Sequence, residues 1–187
     1  ANREISAEQS CQQFDALRSA YLRSVEQGIE PLTRLALSLQ PKQWQHLERH
    51  HAKSNNKFAD EWMEGGVEAR QERLFDRSLD RYETLYGNLS PTQRAALKAR
   101  VQTSAFDPQR VQTERKRRQT DLLATLKQVQ TQPGQAQDLL RQWHARVLNS
   151  PDPSYAAYSK ALIRQRCEQY AALHNSTSAE QRAEAVK

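Results

Sequence analysis

A nine-residue pattern occurs twice in this chain, and its two copies are fifty residues apart. Residues 39–47 and residues 89–97 both fit L-x-P-x-Q-x-x-x-L. Proline is tolerated at the first position of a helix because its missing N–H would have no intrahelical partner there. A glutamine two residues later can reach back to an amide at the helix start. The pattern therefore predicts helices that begin at Pro41 and Pro91, as two equivalent corners of a helical scaffold. The similarity continues upstream, where Ile29, Leu32 and Leu35 correspond to Leu79, Tyr82 and Leu85.

Capping sequences and helix breakers divide the rest of the chain into further helices. Ser6 with Gln9, and Ser178 with Gln181, are capping boxes. Gly28 is predicted to end the first helix, and a short helix is predicted for residues 31–39. The other predicted helices are 41–64, 67–86, 91–103, 108–131, 135–149 and 154–174. We expect the tail, residues 175–187, to fray, and no segment predicts a strand.

These signals predict an all-α fold. With 187 residues and only five glycines, the chain is expected to form a single domain, residues 1–187, of about six to eight amphipathic helices. We expect an elongated or irregular helical bundle in which residues 28–131 carry both copies of the pattern.

Composition excludes few partners. The net charge of +6 permits nucleic acid, an anionic lipid or an acidic protein, and selects none of them. No apolar run approaches the roughly 18 residues of a membrane span. The chain has no G-x-S-x-G and no glycine-rich phosphate loop. We therefore expect a protein that is not an enzyme and has no cofactor. Carboxylates that converge in a hydrolase site are an alternative.

The two cysteines, Cys11 and Cys167, lie near opposite ends of the chain. An exported chain could join them in one disulfide, whose loop of about 155 residues would stabilise the fold by at most roughly 5 kcal/mol. Two unpaired thiols are the alternative.

Two polar residues interrupt the apolar stripe predicted for the helix from 41 to 64. The stripe consists of Trp44, Leu47, His51, Asn55, Phe58 and Trp62. His51 and Asn55 could form a polar binding site between helices, or they could be a satisfied hydrogen-bonded pair in the core. His46 and His50 have the spacing of a metal chelate, but further ligands are not apparent, so we expect no metal site.

Two groups of basic residues are candidate binding surfaces. The helix from 67 to 86 carries a stripe of arginines, namely Arg70, Arg73, Arg77 and Arg81. The stripe could bind an anion or an acidic peptide, or it could pair with Asp60, Glu61 and Glu64. The run from Arg110 to Arg118 could contact nucleic acid, but a solvated helix face is the simpler interpretation.

Several pieces of the chain, in their order and spacing, carry a family resemblance. They are the two pattern copies, Asn56-Lys57-Phe58-x-x-Glu61-Trp62, the arginine stripe ending in Arg81-Tyr82-Glu83, and Arg115-Lys116-Arg117-Arg118-Gln119 before Leu122-Leu123. From about Leu35 to Leu126 the chain resembles a family of uncharacterised helical lipoproteins of Gram-negative bacteria, a domain of unknown function. The doubled pattern more weakly resembles the L-T-x-x-Q motif of small periplasmic stress chaperones, with Gln40 and Ser90 in place of the threonine.

The resemblance implies an exported protein, anchored in the periplasm through a lipid-modified cysteine upstream of Ala1. We expect a binding, chaperone-like or envelope-structural role, with a protein or peptide as partner and membrane contact only through the anchor. The candidate binding surface comprises His51, Asn55, Trp62, Arg70, Arg73, Arg77 and Arg81. A cytoplasmic nucleic-acid-binding protein that uses Arg110–Arg118 is the alternative.

Overall fold

The computed structural model describes residues 4–186, and this part of the chain is all-α, as predicted. It contains eight α-helices and no strand. The helices are α1 (Ala7–Ser38), α2 (Pro41–Trp62), α3 (Gly66–Tyr86), α4 (Pro91–Gln102), α5 (Pro108–Thr131), α6 (Ala136–Leu148), α7 (Pro153–Ser176) and α8 (Ala179–Glu184). A 3₁₀ turn, Pro133–Gln135, precedes α6. Among the described residues, no helix combines the length and the apolar character that crossing a membrane requires.

The described residues cluster into two compact units. Unit 1 contains the residues up to Ala16, Glu64–Phe106, and the residues from Tyr158 onward. Unit 2 contains Leu17–Met63 and Asp107–Ala157. Both units are discontinuous in sequence, and α1 and α7 contribute residues to both.

Each unit has its own hydrophobic core, and each core uses one copy of the repeated pattern. In unit 2 the core consists of Ile29, Ala36, Leu126, Val129, Ala136 and Leu140, with Leu39, Trp44 and Leu47 of the first copy packed against it. In unit 1 the core consists of Tyr82, Tyr86, Leu89, Leu97, Val101 and Leu173. Leu89 and Leu97 are the leucines of the second copy, and Leu97 is 1% exposed. The leucines therefore fix where each new helix packs.

Both predicted helix starts are confirmed. Ser90 accepts from the amide of Gln93 at 3.2 Å, and the Gln93 side chain accepts from the amide of Ser90 at 2.8 Å. In the first copy the Gln43 side chain likewise accepts from the amide of Gln40 at 2.7 Å. These bonds satisfy donors that a helix start would otherwise leave unpaired.

The predicted break at Gly28 is wrong, since α1 continues through Gly28 and Pro31 to Ser38. Among the described residues only Gly65, Gly66 and Gly87 have a positive φ, so Gly28 does not act as a left-handed helix terminator. Ile29, Thr33 and Ala36 are buried, and their spacing places them on one face of the continuous helix. Burial of that face outweighs the local preference of glycine and proline to end a helix.

A disulfide joins Cys11 in α1 to Cys167 in α7, with the two Cα atoms 5.3 Å apart. Both cysteines belong to unit 1. Nearby, Glu8 pairs with Arg164 at 2.8 Å, and the Asn175 side chain exchanges two hydrogen bonds with the backbone of Ile5. The first turns of α1 are therefore attached to α7 by covalent, ionic and hydrogen bonds.

Candidate functional site

Asn55 lies at the contact between α2 and α5 in unit 2, where it pairs with Gln119. Its amide nitrogen donates to Gln119 Oε1 at 2.7 Å, and Gln119 Nε2 donates back to Asn55 Oδ1 at 3.1 Å. Gln112 also donates to the backbone carbonyl of Asn55 at 3.3 Å. The Asn55 side chain is thus satisfied by a partner 64 residues away in sequence, which favours the structural alternative at this position.

We call the polar contact between these two helices the α2–α5 seam, formed by Ser54, Asn55, Phe58, Gln112, Arg115 and Gln119. Arg115 donates to Ser54 Oγ at 2.9 Å, and its guanidinium carbon lies 5.0 Å from the centre of the Phe58 ring. Two buried atoms of the seam, Gln112 Oε1 and Arg115 Nε, have no protein partner. Such atoms are usually hydrated.

His51 and Trp62 also lie on α2, one before and one after the seam residues of this helix. His51 Nδ1 is buried and has no protein partner. Burial, then the neighbouring charge of His50, lowers the pKa of His51, so the ring is neutral at pH 7. Trp62 is 6% exposed, and its ring centre lies 6.5 Å from that of Phe58. The indole is therefore a packing group of α2.

The basic run in α5 is bonded largely within unit 2. Glu114, which is 4% exposed, accepts from Arg117 at 2.8 and 2.9 Å and from Arg118 at 2.7 Å. Ser150 donates to the same carboxylate at 3.1 Å. Burial acts to raise the pKa of Glu114, but these hydrogen bonds outweigh it and lower the pKa below the ordinary range. The run therefore acts mainly as an internal charge network, and Arg110 and Lys116 are its exposed cations.

A second carboxylate connects α5 to α6. Arg146 binds Asp121 through two nitrogens, with contacts of 2.9 and 2.8 Å, and also donates to Thr125 Oγ1 at 3.1 Å. The hydrogen bonds from Arg146 lower the pKa of Asp121 despite its partial burial. The carboxylates of Glu114 and Asp121 are thus both paired with arginines.

The arginines of the α3 stripe differ in exposure along the helix. Arg73 donates to the backbone carbonyl of Glu64 at 2.5 Å, so it anchors the turn before α3. Arg70 is half-buried, whereas Arg77 and Arg81 are exposed. A surface depression of about 640 Å³, which we call the α3 groove, is lined by Arg77, Asp80, Arg81, Thr84 and Leu85.

Arg81 also belongs to a basic cluster that sequence analysis missed. The charges of Arg81, Arg100 and Arg166 all act on Tyr82, which is 7% exposed. Burial, the largest effect, raises the pKa of Tyr82 to about 12, and the three guanidinium charges oppose that rise. The three arginines come from α3, α4 and α7, so no local sequence pattern predicts that they act on one tyrosine.

Apolar side chains remain exposed on the unit 2 part of α1. Leu17 is 70% exposed, Tyr21 46% and Leu22 42%. The Tyr21 ring meets the His144 ring edge-on, with centres 6.4 Å apart. Large apolar side chains grouped on one exposed helix are a common feature of interaction surfaces.

Among residues 4–186, no group of three or more His, Cys, Asp or Glu side chains is arranged to hold a metal ion. His46 and His50 are both exposed on α2.

Comparison with known proteins gives one family match. The model of DUF6279, a family of unknown function, matches residues 1–152. No curated protein and no solved structure matches the chain.

Proposed function

This chain belongs to the DUF6279 family, whose function is unknown, and we propose that it is a non-enzymatic, exported protein that binds other proteins or peptides. In this proposal it works in the periplasm, is held to a membrane by a lipid anchor, and protects or holds its partners in a chaperone-like or envelope-structural role.

The observation that carries the proposed export is the disulfide between Cys11 and Cys167. Disulfides form and persist in oxidising compartments, whereas the bacterial cytoplasm keeps most thiols reduced. The bond closes a separation of 156 residues, and the chain-entropy model assigns such a loop about 5 kcal/mol of stabilisation. An exported protein gains this stabilisation, and a cytoplasmic one does not.

Fractionation combined with thiol labelling tests the proposed compartment. The natural precursor is expressed in its own cells, which are treated with a maleimide reagent before and after reduction. We expect the protein in the envelope fraction, with both cysteines labelled only after reduction. Cytoplasmic protein whose thiols react without reduction would contradict the proposal.

The exposed apolar residues of α1 support a holding activity. Dilution of a chemically denatured model protein, with and without this chain, measures that activity through light scattering. We expect the wild type to reduce scattering, and the double variant Leu17→Ser, Tyr21→Ser to do so less. Val186→Ser, which alters an 86% exposed residue of unit 1, is the matched control. Unchanged scattering at several-fold molar excess of wild type would contradict the holding activity.

The alternatives are less well supported by the side-chain contacts. Arg115, Arg117 and Arg118 bind partners within unit 2, which leaves fewer of them for phosphates of nucleic acid. Salt-dependent retention on DNA or RNA would favour that alternative. The arginine partners of Glu114 and Asp121 similarly remove two carboxylates from a hydrolytic role.

A further inference from the structure

We propose that the exposed face of α3 binds an acidic amphipathic segment of a partner protein, through Arg77, Arg81 and Leu85. This inference rests on the proposed binding function, and adds the surface that performs it and the chemistry of the partner.

The first argument is the adjacency of basic and apolar groups on one helix. Arg77, Arg81 and Leu85 are each four residues apart, so they follow one another along the same side of α3. Leu85 is 39% exposed, and Val67, at the start of the helix, is 53% exposed. The α3 groove, which Arg77, Arg81 and Leu85 help to line, is open to solvent. The face therefore offers both cationic and apolar contacts to a partner.

The second argument is the charge around Arg81. Arg100 and Arg166 act on the same buried tyrosine as Arg81, so three guanidinium groups from three helices all lie within electrostatic range of Tyr82. Such convergence raises the local positive potential beyond what a single helix face supplies. Guanidinium groups also bind carboxylates in a bidentate geometry, which makes aspartate and glutamate side chains suitable partners.

The third argument concerns the kind of anionic partner. Asp80 lines the α3 groove together with the two arginines. An anionic bilayer presents a uniformly negative surface, and the negative charge of Asp80 would oppose binding to it. A peptide can instead place carboxylates on Arg77 and Arg81 and a neutral or apolar side chain beside Asp80. The mixed lining thus favours a peptide segment over a lipid surface.

The test uses fluorescence anisotropy of the oxidised full chain with a labelled helical peptide of about 20 residues that carries Glu and Leu four residues apart. We expect saturable binding that weakens as salt is added. A peptide with Lys in place of every Glu should not bind. A scrambled peptide of the same composition should bind more weakly, because its charged and apolar faces are mixed.

Variants locate the binding surface. Arg81→Glu and, separately, Leu85→Ser should each weaken peptide binding, by about tenfold for the charge reversal. Arg81→Gln should have an intermediate effect, because it removes the charge without reversing it. Lys116→Glu makes the same charge change at an exposed site in unit 2 and should leave affinity within about twofold. Far-UV circular dichroism verifies that each variant is folded.

The outcomes separate the inference from the proposed function. One outcome is that the wild type and the variants Arg81→Glu and Leu85→Ser all bind the acidic peptide equally well. In that case the assignment of the binding site to α3 is wrong, and the proposed binding function stands. If the wild type binds phosphatidylglycerol vesicles and not the peptide, the assigned partner is wrong. If it binds no peptide and also fails to suppress aggregation, the inference and the proposed binding function both fail.

Discussion

Glu114 illustrates how one buried residue decides the role of a whole basic segment. Its carboxylate accepts from Arg117, Arg118 and Ser150, and it is 4% exposed. Glu114→Gln would retain the shape and remove the charge. Arg118 would then lose this counter-charge, and Arg117 would keep as counter-charge only its 3.4 Å contact with Asp121. We expect a loss of about 3 kcal/mol in the free energy of unfolding, measured in urea.

The matched control for this prediction is an exposed ion pair. Glu30 binds Arg34 at 2.6 Å, and the two side chains are 68% and 69% exposed. Glu30→Gln should change stability by less than about 0.5 kcal/mol, because solvent screens the pair. Equal effects of the two substitutions would show that the Glu114 network contributes no more than a surface contact.

The same carboxylate predicts how stability depends on pH. The pKa of Glu114 is lowered in the folded protein from its ordinary value of 4.5. The stabilisation from ionised Glu114 is therefore fully present above the unfolded value and is lost as the pH falls through the folded pKa. The stability difference between wild type and Glu114→Gln should be greatest near about pH 7 and smaller at about pH 3. A difference that grows on acidification would contradict this assignment.

Asn55 and Gln119 provide a test of whether the α2–α5 seam is a structural element. Their side chains exchange two hydrogen bonds, at 2.7 and 3.1 Å. Alanine at either position should destabilise the chain by about 1 kcal/mol, and the double variant should cost less than the sum of the two. A double-mutant cycle in urea measures this coupling. Strictly additive effects would mean that the two side chains contribute independently.

At the scale of the helix, two glycines make opposite predictions. A Cβ at Gly28 or at Gly87 would meet no atom within 4 Å. Gly28 lies inside α1, whereas Gly87 has a φ of +72° at the end of α3. Gly28→Ala should therefore stabilise the protein by about 0.5–1 kcal/mol, because alanine is the better helix former. Gly87→Ala should destabilise it by about 1–2 kcal/mol, because a side chain disfavours the positive φ.

Thermal unfolding of the two glycine variants compares backbone conformation directly, since steric crowding is absent at both positions. A destabilised Gly28→Ala would indicate that α1 is interrupted at the position where the sequence first suggested a break. A stabilised Gly87→Ala would contradict the positive φ at the end of α3.

The helix starts could be predicted from sequence because their chemistry is local. Ser90 and Gln93 are three residues apart, so the sequence alone shows that they can satisfy each other. The continuity of α1 could not be predicted in this way, because burial of Ile29 and Ala36 against α5 and α6 outweighs the glycine and proline signals. Local signals therefore give the elements, and distant contacts decide which of them merge.

The candidate surfaces show the same dependence on distance. The run Arg110–Arg118 looks like a solvated or nucleic-acid-binding face in sequence. Ser54 and Ser150, however, bind Arg115 and Glu114 of this run from more than 30 residues away. The cluster of Arg81, Arg100 and Arg166 is likewise assembled from three helices. The arginine stripe itself was visible in sequence, and the fold determines which of its members remain exposed.

At the scale of the whole molecule, the repeated pattern corresponds to the two cores. One copy packs in unit 2 and the other in unit 1. The upstream correspondence extends to exposure only at one pair, Leu35 and Leu85, which are 55% and 39% exposed. Ile29 and Tyr82 are buried, whereas their counterparts Leu79 and Leu32 are half-buried. The pattern therefore specifies a helix corner with a defined buried side.

The disulfide and the tryptophans lie in different units, which gives a unit-specific experiment. Cys11 and Cys167 belong to unit 1, whereas the three tryptophans, Trp44, Trp62 and Trp143, belong to unit 2. Reduction, or the double variant Cys11→Ala, Cys167→Ala, should destabilise unit 1 by about 2–4 kcal/mol. We expect the urea midpoint from far-UV circular dichroism to fall further than the midpoint from tryptophan fluorescence, because the dichroism reports both units. Two midpoints that fall equally would show that the units unfold as one cooperative structure, and midpoints that do not move would show that the bond contributes no stability.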